Sequence, residues 1–271
     1  MKTKIPARFF IVTFSWTWFC WLAPMLSGRL GIPAVNSLMA AIGPVLGILA
    51  SFGPAAGAVV SLLTYDGKGA ARKFFKSFLS FNFGWKAWVS IFAIIGGAAF
   101  LAWIIPEFFG FARPPKYLPS LAMFPVYFFI MIVAGGGQEE IGWRGYIMTR
   151  LENKFGLVFG SLILGAVWAA WHIPLWFMQG TNQIYMNFFA FTIGCIGLSF
   201  FFSWIIEASG GRRLSGLIAH GAMNAFMMLF PSIILDAAVP QPRFWLSQIF
   251  IFAAGVIVVT TRTINRRGKI S

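Results

Sequence analysis

The chain has 271 residues, 59% of them hydrophobic and only 10% charged, with a mean hydropathy of +0.79. A water-soluble globule needs roughly 25% charged residues to cover its surface, so this composition excludes a soluble enzyme, a disordered regulator and a nucleic-acid module. The net charge of +14, from 21 basic and 7 acidic residues, reads in such a chain as an orientation signal and as contact with anionic lipid headgroups.

A hydrocarbon core about 30 Å thick takes about 20 apolar helical residues to cross. Runs of that kind are Phe9 to Leu26, Ser37 to Leu63, Trp88 to Phe109, Leu118 to Gly137, Leu157 to Met178, Phe188 to Ile206, Leu214 to Ile234 and Phe244 to Thr261, which predicts eight transmembrane helices. The first follows Lys2, Lys4 and Arg8 in the manner of a signal peptide, but it is rich in Trp and Phe and lacks a small-x-small cleavage site, so it reads as a retained helix. The second is long for one crossing and contains Pro44 and Pro54, which predicts a kink or two shorter pieces. Residues 66–86 interleave basic and aromatic side chains at helical spacing. They read as a helix lying on the cytoplasmic headgroups, with Phe74, Phe75 and Phe78 dipping into lipid. With the N-terminus in the cytoplasm, strict alternation places 17 basic residues inside and only Arg29, Arg113, Lys116 and Arg243 outside. The expected architecture is an all-α polytopic helix bundle, one membrane domain over 1–271 with both termini cytoplasmic, in the plasma membrane if the source is prokaryotic.

Ionisable side chains at membrane depth are costly, so the few present are candidate site residues. The two histidines, His172 and His220, fall inside spans, and of the acidic residues only Glu139 and Glu140 are adjacent, at the end of the fourth span. If the helix continues there, Glu140 and Arg144 are one turn apart and can pair, while Glu139, turned about 100° away, is left free for chemistry. The same one-turn spacing aligns Trp168 with His172 and His220 with Asn224. Bringing these groups together needs the fourth helix to run past Gly145 and the fifth to start late or tilt, around a cavity opening to the cytoplasm. The region carrying them, about 118–234, reads as the functional core. Cys20 and Cys195 lie in apolar runs and read as small hydrophobes.

In this order on successive spans, the Glu-Glu-x-x-x-Arg of Glu139 to Arg144, the Trp-x-x-x-His of Trp168 to His172 and the His-x-x-x-Asn of His220 to Asn224 resemble the intramembrane proteases of the CAAX prenyl endopeptidase and bacteriocin-processing family. The resemblance covers about Gly135 to Phe226, and Trp168 stands where that family often has Phe. It implies that Glu139 is the general base activating a water, that His172 holds this water, and that His220 and Asn224 supply donors to the oxyanion, as neutral imidazole and amide groups. Glu140 with Arg144 then fixes the helix and orients Glu139, and Trp168 serves as a large aromatic. The implied partner is a membrane-associated peptide, lipidated or transmembrane, and no cofactor is favoured. Zinc held by His172, His220 and Glu139 is the alternative, since two histidines and a carboxylate match a catalytic zinc site with an open position. A proton-coupled transporter, and a non-catalytic scaffold or self-immunity protein, are the competing functions.

Overall fold

The computed structural model describes residues 4–30, 32–116, 118 and 120–267. Lys2 and Lys269, both used in the charge count above, lie outside the described residues. Among the described residues there is no strand. The helices are α1 (Ala7–Leu30), α2 (Pro33–Ala50), α3 (Gly53–Ser61), α4 (Lys68–Lys76), α5 (Trp85–Ser90), α6 (Gly96–Ile104), α7 (Phe124–Val133), α8 (Met148–Phe155), α9 (Leu157–Trp171), α10 (Phe188–Ala208), α11 (Leu214–Leu229) and α12 (Pro242–Arg267), joined in places by short 3₁₀ and π turns. The protein is an all-α, multi-pass membrane protein.

Every apolar run of the sequence contains a helix, but the runs are not equal. Six continuous helical stretches among the described residues are long and apolar enough to cross a bilayer, and a bent pair, Ser37–Ala50 with Gly53–Asp66, makes a seventh span. The bend is 53° and falls at Ser51 and Phe52, just ahead of Pro54. Pro44 sits inside α2 without breaking it, so of the two prolines only Pro54, at a helix start where its missing N–H costs nothing, marks the break. The remaining run, Leu214 to Ile234, gives α11, which at 16 residues reaches roughly 24 Å and is short for a crossing. Much of α11 is buried against protein, so its length is set by its neighbours and not by lipid.

α10 is the central post, with 61% of its apolar window buried, and it packs against α9, α11 and α12. α1 lies along α2 and α3 and supplies the donors that their broken ends need: Thr17 Oγ1 donates to the Ala50 carbonyl at 2.6 Å and Trp16 Nε1 to that of Leu49 at 2.8 Å. Trp18 Nε1 does the same for the Trp171 carbonyl at the end of α9, at 3.0 Å. Residues 66–86 do not form one helix: α4 covers Lys68–Lys76, a turn follows it, and α5 starts at Trp85. Phe74 points inward against Phe78 and Tyr146 and is buried, so of the three phenylalanines expected in lipid it is Phe75 that is exposed.

α12 is tied down at both ends by arginines. Arg262 pairs with Glu207 and, at 3.1 Å, with Glu152. Arg243 is 2% exposed and donates to the carbonyls of Trp103 (2.8 Å), Ala112 (2.6 Å) and Phe111 (3.2 Å), closing the far end of α6 onto the start of α12. Arg243→Met would keep the packing stem and leave these carbonyls without their charged donor. The expected cost is about 2–4 kcal/mol, read as a lowered thermal midpoint of the detergent-solubilised protein.

Candidate active site

The fourth apolar run does not end at Gly137. α7 stops at Val133, the chain breaks over Ala134 to Gly136, and helical turns resume from Gly137 through Phe155. The break rests on glycine: Gly136 has φ +126°, and a Cβ there would lie 2.6 Å from Asn224 Nδ2 and 2.7 Å from His220 Nε2. Side chains stitch it together. Asn224 Nδ2 donates to the Gly135 carbonyl at 2.5 Å, and the Gly136 N–H donates to Gln138 Oε1 at 3.0 Å. Gln138 Nε2 in turn reaches Ser51 Oγ, at 2.5 Å, in the bend between α2 and α3. Two broken helices are thus joined at their breaks.

Past the break, α8 and α9 form a hairpin that turns at Gly156, which lies almost midway in sequence between Glu139 and His172. Glu139 and His172 therefore come to one level without a late start or a tilt of α9. Glu139 stands roughly 24 Å from the turn, because the helical path continues for about 16 further residues.

Glu139 is 5% exposed, and its Oε2 accepts from the indole N–H of Trp168 at 2.8 Å. The neighbouring carboxylate faces another way: Glu140 Oε1 accepts from Arg144 Nη1 at 2.8 Å and pairs with His220 Nδ1 at 2.9 Å. Arg144 adds a bond from Nη2 to Ser199 Oγ at 2.9 Å and stacks its guanidinium 4.5 Å from the centre of the Trp168 ring. Glu140, Arg144 and His220 are each no more than 3% exposed. His172 Nδ1 lies 2.9 Å from the Trp168 carbonyl; a carbonyl only accepts, so Nδ1 carries the proton and Nε2 of the neutral ring is an acceptor.

Glu139, Trp168, His172, His220 and Asn224 all line one cavity of about 270 Å³, whose remaining wall is mostly apolar and includes Met223 and Met227 of α11 and Phe191 of α10. The cavity extends towards Gln183, Met186 and Phe244, at the end of the bundle opposite the α8–α9 turn. No residue of the basic turns around Lys154 and Arg212 lines it. Glu140 and Arg144 lie behind the cavity wall, so the sequence-derived site residues divide into a lining set and a supporting pair. Two placements change the roles expected of them. Trp168 makes a hydrogen bond that Phe cannot make, so it is more than a large aromatic. Asn224 has one amide hydrogen committed to Gly135 and one left over. Gln138, Ser51 and Ser199 were not singled out in the sequence; a search for hydroxyl and amide groups at membrane depth, beyond the ionisable ones, would have found them. Among the described residues no three His, Cys, Asp or Glu side chains gather in a group able to hold a metal ion, so Glu139, His172 and His220 do not form a ready ligand set.

A buried carboxylate, histidines and an amide around a cavity inside membrane-length helices define a hydrolytic or proton-handling class of membrane protein. Residues 119–226 match the family described as "Type II CAAX prenyl endopeptidase Rce1-like". The chain is also 25% identical over 143 residues to a protein of Methanococcus maripaludis named CAAX prenyl protease 2, covering 49% of each. The match thus spans about half the length of that curated relative. Over the matched segment, the family resemblance drawn from the three motifs holds.

Trp168→Phe isolates the indole bond while keeping the ring. Loss of a hydrogen bond to a charged group, about 1.5–3 kcal/mol, should lower turnover roughly tenfold to hundredfold with little change in thermal midpoint. Gly136→Ala, which forces a side chain against His220 and Asn224 at a positive φ, should abolish turnover and also destabilise the protein.

Proposed function

We propose that this protein is an intramembrane endopeptidase, hydrolysing a peptide bond of a lipidated or transmembrane peptide with a water activated by Glu139. The observation that carries the reading is the convergence of Glu139, His172 and His220, from three separate elements, on one cavity within helices of membrane-spanning length. The name of the Methanococcus relative, a CAAX prenyl protease, points to the same chemistry and to a prenylated substrate.

In this mechanism water sits between Glu139 and the acceptor Nε2 of His172. Its oxygen attacks the scissile carbonyl carbon as Glu139 takes a proton, and the carbonyl electron pair moves onto oxygen. The oxyanion is met by His220 Nε2 and the uncommitted amide hydrogen of Asn224. His220 already gives its Nδ1 hydrogen to Glu140, so it can donate from Nε2 only as the imidazolium. In this reading His220 meets the oxyanion with both ring nitrogens protonated, in place of the neutral imidazole that the resemblance implies, and Glu140 is the carboxylate it shares with Arg144. Collapse of the intermediate breaks the C–N bond, and the proton held by Glu139 passes to the leaving amine. The products are an amine and a carboxylic acid, which loses its proton to water.

The functional core in this reading is about 118–234 within one membrane domain, and the basic ends of the helices, with both termini, face the cytoplasm and its anionic headgroups. Glu139→Gln is isosteric and removes only the base. Cleavage of a prenylated peptide by the purified protein should fall by about two to four orders of magnitude, with the melting profile retained, and a chelator should leave wild-type cleavage unchanged. Stoichiometric zinc with chelator-sensitive cleavage would replace this mechanism with the metal-dependent one. No cleavage by wild type across prenylated and transmembrane peptides would replace it with a binding role.

A further inference from the structure

A second cavity, of about 430 Å³, lies at the other end of the bundle from the Glu139 cavity, between α4, α8 and the start of α11. Three cations line it, Lys73, Arg150 and Arg213, against a single carboxylate, Asp66. That carboxylate is already engaged: one oxygen, Oδ2, accepts both from Arg150 Nη2 at 2.7 Å and from the Tyr146 hydroxyl at 2.9 Å. Lys73 is exposed, and Arg213 makes one side-chain hydrogen bond, from Nη1 to Ser77 Oγ at 2.7 Å. The two guanidiniums are held in place by aromatic rings, Arg150 at 3.9 Å from the centre of Tyr146 and Arg213 at 5.3 Å from that of Phe74. Burial, and then the facing Arg150 charge, hold Arg213 below the ordinary arginine range. Asp66 offsets the Arg150 charge, and the lining as a whole remains net positive.

We propose that this pocket binds a phosphate group, supplied either by the headgroup of an anionic phospholipid or by free phosphate. Arg150 gives Nη1 to the Tyr146 carbonyl and Nη2 to Asp66, which leaves Arg213 and the exposed Lys73 with the freer donors, and the excess of two positive charges over the carboxylate attracts a tetrahedral oxyanion. The pocket sits at the end of the bundle where the basic turns cluster, the level at which lipid phosphates lie if those turns mark the membrane surface. An occupant would bridge α4 to α8 and α11, and so brace the segment that leads to Arg144 and Glu140. The proposal does not depend on the protease reading.

The test is native mass spectrometry of the detergent-purified full chain titrated with phosphatidylglycerol, phosphatidylcholine and inorganic phosphate. The variants are Lys73→Gln/Arg213→Gln and, as a control removing two exposed charges from α4 outside the pocket, Arg72→Gln/Lys76→Gln. Wild type should prefer phosphatidylglycerol to phosphatidylcholine or bind inorganic phosphate. The pocket pair should lose at least about tenfold in that affinity, the control less than about threefold. Competition of inorganic phosphate against the lipid would identify free phosphate as a sufficient ligand; binding of the lipid alone would identify the headgroup. Equal losses in the two pairs, or no binding of either ligand by wild type, would overturn the proposal. Lys73→Gln alone, which removes no hydrogen bond within the protein, gives the same reading should the double variant fail to fold.

Discussion

One carboxylate oxygen, Oε1 of Glu140, is shared by Arg144 and His220 in a part of the protein where none of the three side chains meets solvent. Charges in such a place persist only when each is paired, because an unpaired one costs several kcal/mol and breaking a buried pair typically costs about 3–5 kcal/mol. The consequence is geometric. The pair between Glu140 and Arg144 requires the helical path to continue beyond the break at Gly136, and the pair between Glu140 and His220 sets the register of α11 against it. With Glu140 committed, Glu139 is turned to the opposite side, where Trp168 receives it. Four groups of the candidate site are therefore positioned by the satisfaction of one buried charge.

The second device is the interruption of helices where the site is. A continuous helix offers no backbone polar groups and no room for a neighbouring side chain to approach its axis, whereas a break with glycine at its centre offers both. At Ala134 to Gly136 the freed carbonyl of Gly135 is taken by Asn224, and the freed N–H of Gly136 by Gln138. At Ser51 and Phe52 the carbonyls left at the end of α2 are taken by Thr17 and Trp16. The bond from Gln138 to Ser51 joins the two interruptions. This couples the segment carrying Glu139 to the α2–α3 bend through one buried amide, and helices outside the matched family segment thereby share in shaping the cavity.

The apolar walls contribute what the polar groups cannot. Met223, Met227 and Phe191 line the space around Glu139 and His220 with apolar surface, and methionine in particular fits ligands of varied shape. In such surroundings each hydrogen bond and charge has a larger effect than it would in water, which is the condition under which a carboxylate, an imidazole and an amide can act together on a weak nucleophile.

What the sequence determined by itself was anything that follows from composition and helical spacing. Eight apolar runs became helical elements, the pairing of Glu140 with Arg144 followed from a one-turn separation, and the rarity of charge marked Glu139, His172 and His220. Spacing along one helix does not describe contacts between helices, and there tertiary structure decided. The bond from Trp168 to Glu139 joins positions 29 residues apart, and that from His220 to Glu140 joins positions 80 apart, so no local pattern reveals either. The fourth apolar run ends where charge begins, while the helical path continues past Gly145 to Phe155, as bringing these groups together requires, and buried pairing accommodates Glu140 and Arg144 along it. Gln138 and Ser199 stayed hidden because a neutral polar residue is unremarkable in sequence. It becomes a structural clamp only when packing removes every other partner from its donors and acceptors.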